Sequence, residues 1–257
     1  MIQLKQFTKE HLEKWKQDGC LYLPREELYN SEIKQNLIDW VNEVQNLPEE
    51  KGKWMKYYEK SLKDGSRILN RVENFLPYHE KLNNLLNGEW MLRLVSQLFE
   101  EPATLFKDKI NFKLPGGEGF KPHQDAQAGW DGYGQTLHIS VAVCIDEATP
   151  ANGCLECVLG EHKKGLQGPM FKELPQEVVE KWDWVSFKMK PGDIIIFDSY
   201  TPHRSGPNLT DTTRRMVFLT FSKRSEGDYR AKYFEDKRKT FPPDIERKPG
   251  VNYSYKI

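Results

Sequence analysis

Residues 137–145 read LHISVAVCI, with Leu137, Ile139, Val141, Val143 and Ile145 alternating with His138, Ser140, Ala142 and Cys144. Successive side chains of a strand point to opposite faces, so this stretch predicts a strand with one wholly apolar face. Residues 109–114 repeat the pattern: Ile110, Phe112 and Leu114 share one face, and Lys109, Asn111 and Lys113 share the other. Further short strands are predicted at 154–159, 185–189, 193–197 and 216–222, separated by turn residues. That rhythm is the mark of a sandwich or barrel.

Outward from this core the period changes. The first hundred residues read mostly helical. Thr8 is placed to cap a helix carrying Leu12 and Trp15, and Gly19 sits where a C-terminal cap belongs. Residues 20–23 suit a short strand. Asn30 or Ser31 opens a second helix with Ile33, Leu37, Trp40, Val41 and Val44 on one face, and Pro48 ends it. Helices are also predicted at 77–86, stopped by Gly88, and at 89–99, stopped by Pro102. The whole chain, 1–257, is read as one mainly β domain: a helical part over about 1–103 buttresses a barrel-like core over about 104–222, and a tail follows at 223–257.

Charge is balanced, with 38 Lys and Arg against 38 Asp and Glu, which argues against a general binder of nucleic acid. No stretch approaches the roughly 20 apolar residues needed to span a bilayer. The first sixteen residues lack a signal-type apolar run, so Cys20, Cys144, Cys154 and Cys157 are expected to be reduced thiols in a cytoplasmic protein. Cys154 and Cys157 have no second pair to complete a zinc site, and packing explains them. Asn152-Gly153 reads as a plain turn. His162 and the lysines after it read as a solvated loop, and His79, at a helix start, has no evident metal partner. The expected partner is a small molecule, with no nucleic acid or membrane, and a homo-oligomer is compatible with the composition.

Chemistry concentrates in Lys121-Pro122-His123-Gln124-Asp125 and Tyr200-Thr201-Pro202-His203-Arg204-Ser205. His123 and Asp125, one residue apart on a strand, point the same way. His203 supplies a second imidazole. Two histidines and one carboxylate on one side of an ion leave positions for a chelating cosubstrate and dioxygen, the facial set of non-haem iron(II) oxygenases. His-x-Asp alone is a common surface pattern; its company raises it. Arg214, eleven residues past His203, can grip a dicarboxylate's far end with two parallel hydrogen bonds, and Ser205 can add a hydroxyl. Arg215 should face the other way. Together these residues imply iron(II), 2-oxoglutarate and O2.

The stretches LFKDKINFKLPGG, KPHQDA, DEATPANGCLECVLGEHKKG and MKPGDIIIFDSYTPHRSGPNLTDTTRR, which lie within about 104–222, resemble the phytanoyl-CoA dioxygenase-like iron(II)/2-oxoglutarate oxygenases. The resemblance implies a double-stranded β-helix (jelly-roll, cupin-like) fold. It puts His123, Asp125 and His203 on the iron, and Arg214, Ser205, Lys109 and Arg71 on the cosubstrate. A carboxylate at Asp125, where halogenating relatives carry a small residue, implies hydroxylation.

HQDAQAGW, HISVAVCIDEATPANGCLE, FDSYTPHRSGPN and the tail SEGDYRAKYFEDKRKTFPPDIER are similar to a narrower group, dioxygenases acting on 2-aminoethylphosphonate or its trimethylated form. That similarity implies hydroxylation of the carbon next to phosphorus. A phosphonate dianion suits Lys109, Asn111 and Lys113, and a cationic amine suits Trp130, Tyr133 and Asp131. Gln127 and His138 complete the residues expected to touch substrate. Packing of Trp130 as a lid and solvation of Lys113 at a strand end are the plainer alternatives. The runner-up is a hydroxylase of another small metabolite or natural product. A silent anion-binding jelly-roll and a divalent-metal hydrolase are the rivals from other classes.

Overall fold

The protein is described by a computed structural model, which covers residues 6–29, 31–134 and 136–253. Thr8 and Gly19 bound the first helix, α1 (Lys9–Asp18), as expected. The Thr8 hydroxyl accepts from His11 N, and Gly19 takes a left-handed φ of 66° while its N–H reaches Trp15 O at 2.9 Å. There follow β1 (Cys20–Leu23), α2 (Arg25–Leu28) and α3 (Ser31–Asn46). Asn30, the other proposed helix start, lies outside the described residues.

Two strands then appear between Pro48 and Pro77, where the sequence pattern assigned no particular element, β2 (Met55–Lys60) and β3 (Arg67–Glu73). Their sequences hide them because the side facing the helices is not apolar throughout. Lys56 is buried there, and its ammonium caps the C-terminal end of α3 through Gln45 O and Leu47 O at 2.9 and 2.7 Å. A register shift between Tyr57 and Tyr58 breaks the alternation further. Helices α4 (Glu80–Leu86) and α5 (Glu89–Phe99) complete the buttress.

The core strands are β4 (Ala103–Lys113), β5 (Phe120–His123), β6 (His138–Cys144) and β7 (Leu155–Cys157). After the short α6 (Gln176–Val179) come β8 (Val185–Phe187), β9 (Ile194–Asp198), β10 (His203–Ser205) and β11 (Arg214–Lys223). A seven-stranded antiparallel sheet runs β1-β9-β6-β11-β4-β3-β2, and a four-stranded one runs β5-β10-β7-β8. The two form the walls of a jelly-roll, as the alternating strands predict. Because β2 and β3 sit in the large sheet, its boundary does not fall at residue 104. The tail forms α7 (Arg230–Thr240), which the sequence reading left unassigned.

The large sheet buries its outer face under the helices. Ile110, Phe112, Ile139, Val141, Val143, Ile196, Val217, Leu219 and Phe221 meet Leu37, Val41, Val44, Leu94, Val95 and Leu98 in one continuous apolar core. At about 1.5–3 kcal/mol for each buried large aliphatic or aromatic side chain, this layer holds the sheet rigid. The inner face carries the polar half of the alternation. On the helix-packed face, opposite Leu219, the fully buried Asp108 fastens three elements. Its Oδ2 accepts from Phe75 N and Leu76 N at 2.8 and 3.0 Å, and its Oδ1 pairs with Arg230 of α7. Asp108→Ala would strand two amides and a guanidinium. It should lower unfolding free energy by about 3 kcal/mol, read in urea denaturation, and free α7 first, read by hydrogen exchange.

Candidate active site

β5 and β10 are antiparallel neighbours with His123 directly opposite His203. Their rings lie 4.2 Å apart between centroids. Gln124 keeps an extended backbone (φ −109°, ψ 135°), so Asp125 still emerges on the side of His123 although it begins a 3-10 turn, Asp125–Ala128, rather than continuing the strand. The ligand atoms of His123, Asp125 and His203 all lie within 4.8 Å of one another, the only such group of three among the described residues.

Each histidine is oriented by a backbone carbonyl two residues earlier. His123 Nδ1 lies 2.6 Å from Lys121 O, and His203 Nδ1 lies 3.0 Å from Thr201 O. A carbonyl only accepts, so both Nδ1 atoms carry the proton and both Nε2 lone pairs face the shared point. Asp125 Oδ2 takes a 2.8 Å hydrogen bond from Ser140, while Oδ1 lies 3.9 Å from His203 Nε2. Burial, then the neighbouring His203, pushes the His123 imidazole down to about 3, so it stays neutral. Burial acts to raise Asp125, but His203, Lys109 and His123 outweigh it and hold the carboxyl well below its usual range. Two neutral imidazoles and one carboxylate, with oriented lone pairs, fit a divalent iron ion.

The triad opens on a cavity of about 850 Å³ between the two sheets. Arg214 lines it and is 2% exposed; one Nη donates to Gly153 O, while Nε meets no acceptor among the described residues. No carboxylate among them pairs with this guanidinium, and burial pushes it down to about 10. Ser205 lines the cavity beside it, and its hydroxyl accepts from Lys113 Nζ at 2.7 Å. Lys109, Asn111 and Arg71 also line it. Lys109 is pushed down to about 8 by burial, then by Lys107, and the buried Asn111 Oδ1 has no donor among the described residues. Arg71 Nε pairs with Glu73 at 2.9 Å. Arg215 does turn away, to Asp146 at 2.7 and 2.9 Å.

Several expected substrate contacts lie elsewhere. Lys113 is neither solvated nor on the cavity wall; it is 2% exposed, bonded to Ser205 and Gly206 O, and pushed down to about 6 by burial and then Arg214. Gln127 is also off the wall. Its amide donates to Pro169 O and Lys172 O, both at 2.8 Å, and its carbonyl accepts from Gln124 N. Gln124 adds Gly165 O, Tyr200 O and Gln167 N. These two glutamines therefore fasten residues 165–174 as a strap that brings Phe171 and Leu174 to the cavity. Tyr133 bonds Asp236 at 3.2 Å, and His138 packs on Phe106 and Trp130; neither lines the cavity. Trp130 does, but its ring carries the ammonium of Lys107, 4.5 Å from its centroid.

Lys107 and Gly153 were missed. Lys107 shares the face of Lys109, and extending the strand two residues backwards would have found it. Gly153 was read as a plain turn, yet its carbonyl seats Arg214. At φ 73° a Cβ there would meet Gly206 O at 2.1 Å, so no other residue fits.

The sequence pattern of the family described as Phytanoyl-CoA dioxygenase (PhyH) matches residues 15–216. A 2-aminoethylphosphonate dioxygenase from the uncultured bacterium HF130_AEPn_1 is 42% identical, over 96% of this chain and 94% of its own. A methylphosphonate hydroxylase from Gimesia maris is 38% identical, over 91% and 88%. Among solved structures, EctD from S. alaskensis with 2-oxoglutarate and 5-hydroxyectoine superposes with a TM-score of 0.73, at 18% identity over 86% of this chain and 77% of that one, and shares the fold. The chain belongs to the phytanoyl-CoA dioxygenase family and is an iron(II)- and 2-oxoglutarate-dependent dioxygenase.

Proposed function

We propose that this enzyme hydroxylates an organophosphonate, 2-aminoethylphosphonate or an N-methylated form of it, at the carbon beside phosphorus. One observation carries the reading: Lys107, Lys109 and Arg214 line a single cavity and pair with no carboxylate among the described residues. Cations away from water are stable only when an anion compensates them. A dicarboxylate cosubstrate accounts for Arg214, and a second anion is needed for the rest. The two relatives named for phosphonates, at 42% and 38% identity, support that choice of anion.

In this reading His123, Asp125 and His203 hold the iron, and Arg214 with Ser205 holds the far carboxylate of 2-oxoglutarate. Iron(II) bound there supplies, with 2-oxoglutarate and O2, the oxidising power for hydroxylation, and succinate and carbon dioxide are released. Lys113 keeps the Ser205 hydroxyl aimed, and Gly153 keeps Arg214 aimed. Lys109, between the two ends of the wall, steadies the Asp125 carboxylate by its charge. Phe171, Leu174 and Phe218 give the cavity apolar sides that exclude water and favour one pose of the reacting carbon.

Succinate release by the iron-loaded protein should be stimulated by aminoethylphosphonates and not by betaines or amino acids; a screen in which no phosphonate stimulates would move the assignment to another small metabolite. Asp125→Ala should abolish succinate formation with every substrate. Arg214→Ala should raise the 2-oxoglutarate requirement about a hundredfold, the cost of a lost charge-assisted pair, with the iron affinity little altered. Ser140→Ala removes the partner that orients Asp125 and should weaken metal affinity about tenfold, measured by chelator competition.

A further inference from the structure

Strand pairing orders the cavity wall. Directly opposed residues of neighbouring strands point to the same face, so each rung can be read across the sheet. Arg214 is opposite Lys113. Two residues on, Asn111 is flanked by Met216 and Arg71; next, Lys109 by Phe218 and Glu73. Two residues further lies Lys107, opposite Thr220, which in turn opposes Ser140, the residue bonded to Asp125. Arg214 and Lys107 thus stand three such steps apart on one wall, roughly 20 Å along the strand. One small cosubstrate held at Arg214 does not reach Lys107. Its side chain belongs to the other ligand.

Lys107 is 5% exposed and lines the cavity. Its ammonium lies 4.5 Å from the Trp130 ring centroid and 5.5 Å from that of Tyr233, and it meets no hydrogen-bond acceptor among the described residues. The nearby carboxylates are otherwise engaged. Glu73 is held by Arg71 Nε at 2.9 Å and by Lys237 Nζ at 2.7 Å, and Asp125 belongs to the metal triad. Two aromatic faces steady a buried ammonium without neutralising it.

One of those faces comes from the tail. Tyr233 and Lys237 are one turn apart on α7, which begins after residue 216, where the family pattern stops. The alignment with the 2-aminoethylphosphonate dioxygenase spans 96% of the chain and so takes in α7. Helix α7 is anchored at Asp108 and Glu73 and sets the Tyr233 ring against the Lys107 ammonium, and Phe241, just past it, lines the cavity.

We propose that Lys107, seated between Trp130 and Tyr233 of α7, is the receptor for the substrate's doubly charged group. This rests on the phosphonate reading above and names the residue that would select a dianion over a monoanion of the same shape. Lys107 fixes one end of the substrate, and the next carbon then lies on the side of the metal.

The test is calorimetric titration of the anaerobic protein holding iron(II) and 2-oxoglutarate, so that nothing turns over. The probes are 2-aminoethylphosphonate and its singly charged isostere 2-aminoethanesulfonate. The unmodified protein should bind the phosphonate at least about tenfold tighter than the sulfonate. Lys107→Met should weaken phosphonate binding about tenfold or more and bring the two ligands within about threefold of each other, while Lys107→Arg keeps the preference. Tyr233→Leu should lose part of the same preference. If Met is not tolerated at this buried position, Lys107→Gln gives the same readout. Phosphonate affinity unchanged in Lys107→Met, or lost equally for both ligands, overturns the assignment of Lys107 alone. Binding of neither ligand by the unmodified protein overturns the phosphonate reading itself.

Discussion

The backbone pairing of β5 with β10 is the constraint on which the site rests. It sets His123 opposite His203, and one extended residue, Gln124, carries Asp125 onto the same side. Every other feature of the site serves that meeting. Lys121 O and Thr201 O fix the imidazole tautomers, Ser140 holds Asp125 Oδ2, and Gln124 and Gln127 strap residues 165–174 so that Phe171 and Leu174 line the cavity. A one-residue slip in the pairing would turn a histidine to the opposite face, so register and metal binding are one property.

The second organising fact is charge. The inner face of β4 presents Lys107, Lys109 and Asn111 to the cavity, and Arg214 joins them from β11. Buried cations left without counter-ions destabilise a fold. The large apolar layer between the sheet and the helices offsets that cost and holds the wall rigid until ligands arrive. Helix α7 belongs to the same balance. Its Arg230 and Lys237 compensate Asp108 and Glu73, two carboxylates on the large sheet that would otherwise be buried with less compensation. The tail is therefore a structural strut and, through Phe241 and Arg247, part of the cavity lining.

Where the structure departs from the local sequence pattern, the cause lies in a partner contributed by another segment. β2 carries a lysine where its helix-facing side chain should be apolar, because Lys56 is there to cap the end of α3 just upstream of it. Gln127 and Lys113 have the chemistry of ligand contacts but spend their donors on backbone carbonyls and Ser205. Trp130 does hold a cation, though it is the protein's own Lys107. Gly153 looks like any turn glycine until Arg214 comes to rest on its carbonyl.

The amino-acid sequence by itself determined the alternating strands, the His-Asp-His set and that Arg214 rather than Arg215 faces the cavity. Each follows from local periodicity or from a residue type with few chemical uses. Only the tertiary structure decided which polar side chains reach the cavity, that the tail adds Phe241 and Arg247 to its lining, and that Lys107 and Arg214 stand at opposite ends of one wall. Alternation names the face of a strand, but reach and partnership depend on register between segments far apart in the chain, and that is settled only when the sheets close.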